Sequence, residues 1–534
     1  MFITMMLIPL LMRSALRYQF VDIPNERKIH DVGMLRVGGI AMALGALTPI
    51  IMWVDITREV RGLLLGALVI VFFGVWDDRR DLGYRVKFFG QLMATILVVL
   101  YGGISIRFLP WTGAAGLPTA LSISLTVVVL LGITNAINLS DGLDGLAGGT
   151  TMLSIGMIAL LANISGNTEV TLMAIALIGS ILGFLRFNTY PARVFMGDGG
   201  SQFLGFMSGV LVILVTQGVM PAFSTTLPIL IMGLPVLDTL YVMGLRIHKG
   251  HSPFTADRNH IHHKLLTMGF DHFQAVSIIY LVQSVLVVTA YLLRYQSDVL
   301  IVGLYVAFCA LAIFILGHTS RNNWRIPSYI WVNYPIDLMK KMKLLRENGS
   351  IHEWSIKFFL VSISTLFLVG AISAITVSHD IGVLAAGLFL VMLLLFPRQK
   401  NKPFSWIERA CIYTIGTLIV YLLQHEGHNL EIYRLVARFI FVLLGLVVIT
   451  ALIFSANKRF HITPLDFLVI FIAFVAPSLP DSIFSEWRVG EVVAGSIIIF
   501  YSLEILLTEM SARWDKIRYV ALSTTLILCL HSIV

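Results

Sequence analysis

The chain has 534 residues, of which 57% are hydrophobic and only 13% are charged. Soluble domains carry about 25% charged residues, so this composition excludes a soluble globular protein and indicates an integral membrane protein. The formal net charge of +8 is not evidence for a nucleic-acid partner, because the basic residues fall in short loops between apolar runs. The three cysteines lie in apolar runs and form no metal-binding or disulfide pattern.

Apolar runs of about 20 residues recur, and each is long enough to cross a bilayer about 30 Å thick as a helix. The runs are continuous rather than alternating, which favours helices over a closed β-barrel. We therefore predict an all-α integral membrane protein, a polytopic helical bundle of about 18 transmembrane helices. About 11 form a first set, near residues 2–18, 37–54, 61–76, 87–103, 119–137, 150–164, 170–186, 201–217, 225–244, 275–293 and 299–317. About 7 form a second set, near 355–377, 381–396, 405–424, 433–455, 464–479, 490–508 and 519–533.

The connections between these predicted spans are alternately rich and poor in lysine and arginine. The connection after the third span contains Arg79, Arg80 and Arg85, whereas the segment 102–118 carries only Arg107. By the positive-inside rule, odd-numbered connections are cytoplasmic and the N-terminus lies outside. The polar clusters follow the third, fifth, seventh and ninth spans, which predicts a site at the cytoplasmic membrane surface. A transporter would instead place polar groups near the bilayer midplane.

The segment NAINLSDGLDGLAGG, residues 135–149, joins two apolar runs and contains Asn138, Asp141 and Asp144 among several glycines. Glycine lets the backbone approach a ligand closely, while carboxylates and amides supply acceptors for a metal ion or a nucleobase. Taken alone, a helix-capping turn explains the segment equally well, because Ser140 and Asp141 are good N-cap residues. The clusters elsewhere in the chain favour the ligand-binding interpretation.

An acidic pair ends the third predicted span, and a lysine begins the fourth. Asp77 and Asp78 are adjacent, so on a helix they point about 100° apart. One carboxylate would then take a metal ion or a proton while the other orients a neighbour. A solvated helix end with arginine counter-charges is the alternative for the pair. For Lys87, neutralisation of a phosphate competes with simple snorkelling to the headgroups.

The segment NTYPARVFMGDGGSQFLGF, residues 188–206, places Asp198 between two glycines at the start of a predicted helix. Helix N-termini attract anions, and an acid there can carry Mg²⁺ that is bound to phosphates. Phe195 offers a flat apolar face for stacking of a base, although packing is the more common role of an aromatic residue at a helix start.

The segment HKGHSPFTADRNHIHHKLL, residues 248–266, is rich in histidine. Its spacing does not match the i, i+4 pair of a helical zinc site, and no cysteine joins it. Imidazoles together with an arginine suit hydrogen bonding to a sugar or a diphosphate, and a solvated basic loop is the alternative. The residues concerned are Arg258, His260, His262 and His263.

These clusters supply acids for a hard cation, basic groups for a diphosphate, and an aromatic residue with amides for a nucleobase. They indicate phosphoryl transfer between a soluble nucleotide and a membrane lipid, a reaction that depends on positioning and charge neutralisation. The motifs Asp77-Asp78, Lys87, NAINLSDGLDGLA, NTYPARVFMGDGG and RNHIHH resemble, in the same order, those of the polyprenyl-phosphate N-acetylhexosamine-1-phosphate transferases. The resemblance covers roughly residues 1–320 and implies a bundle of about ten or eleven helices.

The resemblance implies transfer of a sugar 1-phosphate from a UDP-N-acetylhexosamine to undecaprenyl phosphate, with release of UMP. It implies Mg²⁺ as cofactor, with Mn²⁺ as the alternative ion, bound by Asp198 with help from Asn138. Asp77 or Asp78 would deprotonate or orient the lipid phosphate, and Lys87 would meet the diphosphate. We favour direct attack by the lipid over a covalent aspartyl step, because direct attack needs only a base and a metal ion.

The resemblance also implies how the rest of the donor is held. Asp144 and Phe195 would hold the uracil, and the histidine segment with its arginine would meet the sugar phosphate. The substrate-binding residues are then Lys87, Asp141, Asp144, Phe195, Arg258, His260, His262 and His263.

The loop sequence ADRNHIHH is closer to the N-acetylglucosamine branch of the family than to the branch whose loop resembles APLHHH. We therefore predict UDP-GlcNAc as the donor, in the first lipid-linked step of envelope polysaccharide synthesis at a bacterial inner membrane. A phospho-N-acetylmuramoyl-pentapeptide transferase of peptidoglycan synthesis is the alternative within the family. A non-catalytic transporter or scaffold is the alternative outside it.

The sequence predicts three parts: a transferase membrane domain at 1–320, a basic cytoplasmic linker at 321–354, and an additional membrane domain of unknown role at 355–534. The last part contains no motif that we can assign, and Glu504 is its clearest intramembrane charge. A second copy of the chain and a downstream glycosyltransferase are both candidate protein partners.

Overall fold

The computed structural model describes residues 1–15, 21–22, 34–80, 82–110, 112, 116–217, 223–252, 259–321, 350–374, 377–399, 404–425, 431–454, 489–509 and 514–532. The chain divides into two compact units. The first consists of Met1–Ile326 with Thr463–Leu465, and the second of Pro327–Ile462 with Asp466–Val534. The predicted linker at 321–354 falls almost entirely outside the described residues.

The first unit is helical, as the continuous apolar runs predict. Its described helices are α1 Phe2–Ala15, α2 Gly38–Trp53, α3 Arg58–Arg80, α4 Tyr84–Ile96, α5 Thr119–Leu139, α6 Leu146–Ile164, α7 Thr168–Asn188, α8 Gly197–Thr216, α9 Pro228–Ile231, α10 Gly233–His248, α11 Ile261–Thr267, α12 His272–Leu292 and α13 Asp298–Arg321. A π-helical turn, Leu97–Tyr101, continues α4. The two-residue strands Val21–Asp22 and Met34–Leu35 form an antiparallel pair.

Helix α8 is the centre of this unit. It packs against α2, α3, α5 and α6, and 94% of its most apolar stretch is buried. Glycine permits these close contacts: a Cβ on Gly74 of α3 would lie 2.3 Å from the Cα of Gly199. Without a hydrophobic driving force between helices in lipid, small residues stabilise such packing by allowing backbones to approach. The close contact brings the N-terminus of α8 against the C-terminus of α3.

The helical membrane class is confirmed, and the count of about 18 spans stays a prediction. Within the described part of the chain, ten helices are long and apolar enough to cross a membrane. The predicted continuous span at 225–244 is wrong. The chain instead forms α9 and α10, separated by a non-helical Met232. Pro235 lacks the N–H that would continue the helical ladder across this point, which explains the break. The predicted span at 464–479 lies outside the described residues.

The second unit is also helical where it is described. Its helices are Ser350–Ser373, His379–Gln399, Trp406–His425, Glu431–Phe454, Val489–Glu509 and Trp514–His531. A buried ionic cluster joins three of them. The Arg518 guanidinium lies 2.7 Å from a Glu408 carboxylate oxygen and 2.8 Å from Asp515. Glu504 accepts a hydrogen bond from the Tyr413 hydroxyl and lies 3.5 Å from Arg409.

Candidate active site

Side chains from α3, α4, α5 and α8 meet at one end of the first unit. The Lys87 Nζ lies 2.6 Å from Asp77 Oδ2 and 2.5 Å from Asp198 Oδ2. The Asn138 amide lies 3.4 Å from Asp198 Oδ1 and donates to Ser201 Oγ at 3.1 Å. We refer to Asp77, Lys87, Asn138 and Asp198 as the acid–lysine cluster. The structure thus brings together residues that are up to 121 positions apart in sequence.

The two adjacent aspartates have different environments. Asp78 is buried and accepts the backbone N–H groups of Asp198 at 2.7 Å and Gly199 at 3.0 Å. It therefore caps the N-terminus of α8, where the helix dipole favours a negative charge. Gly197 is required there, because its φ is +69° and a Cβ would lie 2.4 Å from the Asp78 carboxylate. Asp77 instead faces Lys87, and it also accepts the Leu82 N–H at 2.6 Å.

The loop between α5 and α6 is fixed by buried hydrogen bonds. Asp144 is buried, and its Oδ2 accepts the Ala192 N–H at 2.9 Å. Its own N–H donates to His272 Nε2 at 3.1 Å. The Asn188 side chain accepts the Gly145 N–H at 3.0 Å and donates to the Val194 carbonyl at 2.9 Å. Asp144 and Asn188 therefore tie the two motif-bearing loops together.

Asp141 lies among other carboxylates that disfavour its charged form. Burial and the neighbouring carboxylates of Asp198, Asp144 and Asp78 raise the pKa of Asp141 to about 7, and only Arg36 opposes them. A cluster of this sign favours a cation. Within the described residues, no three His, Cys, Asp or Glu side chains form a complete metal site.

The donor set of the acid–lysine cluster fits Mg²⁺. This ion prefers oxygen ligands and is usually held by one or two carboxylates together with water and substrate phosphates. Asp198 has 27% of its side chain exposed, and the carboxamide of Asn138 adjoins it, with its nitrogen 3.4 Å from Asp198 Oδ1. These two residues would hold the ion.

The histidine segment packs onto the α5–α6 loop. His260 Nδ1 lies 2.8 Å from Asp238 Oδ2, and the Ile261 N–H donates to the other Asp238 oxygen at 2.8 Å. His262 is buried against Gly142, where a Cβ would lie 2.2 Å from its Nε2. Burial and the adjacent histidines lower the pKa of His262 to about 3. The ring of His263 lies 4.3 Å from that of His262.

The roles of two predicted site residues, Arg258 and Phe195, stay predictions. Arg258 lies outside the described residues. Phe195 is half-buried, and its backbone is fixed by hydrogen bonds with Leu35 and Gly38. The exposed ring of Tyr190 stacks on His272 at 4.4 Å, beside the loop that holds Asp144.

A cavity of about 750 Å³ opens beside the cluster, between α4, α5, α8 and α10. Its lining is mostly apolar and includes Phe88, Leu131 and Met243. Lys87 and the buried Arg246 supply cationic groups to the same cavity. The predicted site residues do not include Arg246, although an arginine inside the apolar run YVMGLRIH was a usable signal.

Comparisons with known proteins agree with the motifs. The family described as "Glycosyl transferase family 4" matches residues 60–216, which contain Asp77, Lys87 and Asp198. A Bacillus subtilis (strain 168) "Probable undecaprenyl-phosphate N-acetylglucosaminyl 1-phosphate transferase" is 36% identical over 306 residues, covering 56% of this chain and 84% of that protein. The Escherichia coli (strain K12) "Undecaprenyl-phosphate alpha-N-acetylglucosaminyl 1-phosphate transferase" is 30% identical over 328 residues, covering 60% and 88%.

A third relative is named for a decaprenyl phosphate. The Mycobacterium leprae (strain TN) "Decaprenyl-phosphate N-acetylglucosaminephosphotransferase" is 34% identical over 298 residues, covering 50% of this chain and 75% of that protein. The matches thus cover most of each relative and about half of this chain. The chain therefore belongs to the polyprenyl-phosphate N-acetylhexosamine-1-phosphate transferases, the family that its motifs resemble.

Proposed function

We propose that this protein transfers GlcNAc 1-phosphate from UDP-GlcNAc to undecaprenyl phosphate and releases UMP. The names of the relatives support the sugar and the lipid class. The observation that carries the proposal is the position of Lys87, which bridges Asp77 and Asp198 and also lines the large apolar cavity. One cation therefore adjoins both an acidic, polar site and a compartment suited to a lipid.

The cavity suits the lipid acceptor. A mostly apolar lining would bury isoprene units, and burial of each methylene contributes about 0.8 kcal/mol. Lys87 and Arg246 would neutralise the lipid phosphate, because charge-assisted hydrogen bonds to phosphate are stronger than neutral ones. Asp77 would orient this phosphate or accept its proton, since it is the member of the aspartate pair that faces Lys87.

The acid–lysine cluster would receive the diphosphate of the donor. Mg²⁺, when bound by Asp198 and Asn138, would supply positive charge that stabilises the transferring phosphoryl group. An oxygen of the lipid phosphate forms a bond to the phosphorus attached to the sugar, and the bond from that phosphorus to UMP breaks. Lys87 would stabilise the charge that develops in this exchange, in which the lipid attacks directly.

The remaining predicted residues form the sides of the site. His260 is oriented by Asp238, and His262 packs against the loop that carries Asp141. We place the sugar phosphate near these histidines and the uracil near Phe195 and Asp144. We also place the site at the cytoplasmic face of a bacterial inner membrane, on the basis of the alternating basic connections. The product would begin a lipid-linked envelope polysaccharide.

A UMP-release assay on the detergent-solubilised full chain tests the proposal. UDP-GlcNAc with undecaprenyl phosphate and Mg²⁺ should give UMP, and EDTA should abolish release. Asp198→Asn should lower kcat by about 10²–10³-fold or more while the protein stays folded. Turnover only with UDP-N-acetylmuramoyl-pentapeptide would overturn the donor assignment. Full activity of a folded Asp198→Asn protein would overturn the active site.

A further inference from the structure

Three carboxamides, of which Gln91 and Gln202 are buried and Asn135 is half-buried, form a second polar layer beside the acid–lysine cluster. Gln91 on α4, Asn135 on α5 and Gln202 on α8 are each three or four residues from a member of that cluster on the same helix. This spacing places both residues on one helix face, about one turn apart. All three carboxamides line the large apolar cavity, and we refer to them as the amide layer.

The polarity of the amide layer is fixed by a backbone carbonyl. The Asn135 Nδ2 donates to the Leu131 carbonyl at 2.8 Å and to Gln91 Oε1 at 2.7 Å. A carbonyl oxygen can only accept, so this end of Asn135 is its NH₂ group. Gln91 must then turn its own NH₂ away from that group. Its Nε2 donates to Asn135 Oδ1 at 3.3 Å and to Gln202 Oε1 at 3.1 Å. The remaining group of Gln202 is therefore a donor.

This donor is open to the cavity. Gln202 is only 2% exposed, yet its side chain lines the cavity. Among the described residues, Oε1 of Gln202 has a hydrogen-bond partner and Nε2 has none. Buried hydroxyls nearby behave differently: Ser208 on α8 and Thr95 on α4 each donate to a carbonyl of their own helix.

A ligand that fills this compartment must accept from the N–H group, because burying an amide without a hydrogen-bond partner is unfavourable. Polar contacts between helices alone would explain the bonds among the three carboxamides but not the unused donor. Such a ligand displaces the water that can otherwise accept from Gln202, so it must present an acceptor oxygen within a mostly apolar compartment. A polyprenyl phosphate has its oxygens only at the phosphate end.

We propose that Gln202 donates a hydrogen bond to a phosphate oxygen of the lipid acceptor, and that Gln91 and Asn135 position its carboxamide for this contact. The inference rests on the proposed function, because it assigns the cavity to the lipid substrate. The amide layer sets how deeply the phosphate enters, and so selects a phosphomonoester at the end of an apolar chain over the corresponding alcohol.

Equilibrium binding of farnesyl phosphate to the detergent-solubilised full chain tests this inference without turnover. Gln202→Met keeps the side-chain length and removes the donor. It should weaken farnesyl phosphate binding roughly tenfold, the size expected for a hydrogen bond to a charged group. Farnesol binding should stay within about twofold of wild type. Ser208→Ala, on the same helix and equally buried, should change neither affinity. Gln202→Asn keeps the amide but moves the donor back by one methylene, so it should give an intermediate loss of farnesyl phosphate affinity. It replaces Gln202→Met in the test if Gln202→Met does not fold.

Several outcomes would overturn the inference. An unchanged affinity of folded Gln202→Met or Gln202→Asn for farnesyl phosphate would show that Gln202 makes no hydrogen bond to the phosphate. An equal loss for farnesol would show a packing defect instead. Inorganic phosphate is added as a competitor. If it binds as tightly as farnesyl phosphate, and if its binding also depends on Gln202, the donor would be assigned to free phosphate rather than to a lipid. Binding with no UMP release from any donor would reject the proposed function and leave the amide layer supported.

Discussion

The two units of this protein differ in how their buried charged side chains are paired. In the second unit, Arg518 is buried between Glu408 and Asp515, with its guanidinium 4.5 Å above the ring of Phe404. Each of these charges has a partner of opposite sign within hydrogen-bonding distance. Such a cluster stabilises helix packing only when it is complete, because removing one partner leaves an uncompensated buried charge.

In the first unit the carboxylate of Asp141 lies near those of Asp198, Asp144 and Asp78. Among the described contacts, Lys87 bridges Asp77 and Asp198, and Arg36 lies 3.9 Å from Asp78. Burial, together with these neighbouring carboxylates, raises the pKa of Asp141 to about 7. The comparison teaches that a buried cluster in which each charge faces an opposite charge indicates a structural role. A cluster in which carboxylates lie beside one another requires a charged ligand.

The largest expected effect of a substitution concerns the adjacent aspartates Asp77 and Asp78. Asp77→Asn should lower kcat by about 10²–10⁴-fold with little change in thermal stability, because Asp77 faces Lys87 at the proposed reaction centre. Asp78→Asn should lower the thermal midpoint, since the amide cannot accept both N–H groups at the start of α8, a loss of about 1–2 kcal/mol. Assays of UMP release and thermal unfolding on both variants measure the difference. Indistinguishable profiles of the two variants would contradict the division of roles.

The sequence predicts that these residues share one site, but it does not predict the separate roles of the two aspartates. Motif order and the charge parity of the loops predict that Asp77, Lys87 and Asp198 share a site, since residues at alternate helix ends lie on one side of a membrane. Neither signal encodes which face of α3 meets α8, so the roles of Asp77 and Asp78 could not be separated.

Other features of the site are not visible in the sequence because they depend on contacts between distant helices. Gln91 and Gln202 are single polar residues in apolar runs, and they hardly change the mean hydropathy of those runs. The pairing of Asp238 with His260 spans two elements joined by a loop. The broken helix at Met232 was missed because a proline inside an apolar run is compatible with a kinked helix as well as with a break.

An intermediate effect tests the second unit. Arg518→Met removes the cation and leaves Glu408 buried without its partner, so the unit should lose about 3–5 kcal/mol of stability. The double variant Glu408→Met with Arg518→Met should recover most of that loss, because apolar side chains can replace a buried ion pair. Thermal unfolding of the full chain, read beside UMP release, measures both. A large fall in kcat in the folded single variant would mean that the second unit contributes to the active site.

The smallest effect concerns His262 in the first unit, whose pKa is lowered to about 3 against an ordinary value of 6.5. Between these values the unfolded chain binds a proton that the folded chain does not, so this contribution to stability is complete above pH 6.5 and is lost as the pH falls towards 3. The slope is on the order of 1 kcal/mol per pH unit.

The thermal midpoint of the wild type should therefore fall between pH 7 and pH 5, and that of His262→Gln should fall less steeply. His379→Gln, at an exposed position in the second unit, should keep the wild-type slope and serves as the control. Equal slopes for wild type and His262→Gln would show that His262 does not enter the folded state neutral. The first unit would then hold one more cation against its acids, and the contrast with the second unit would be weaker.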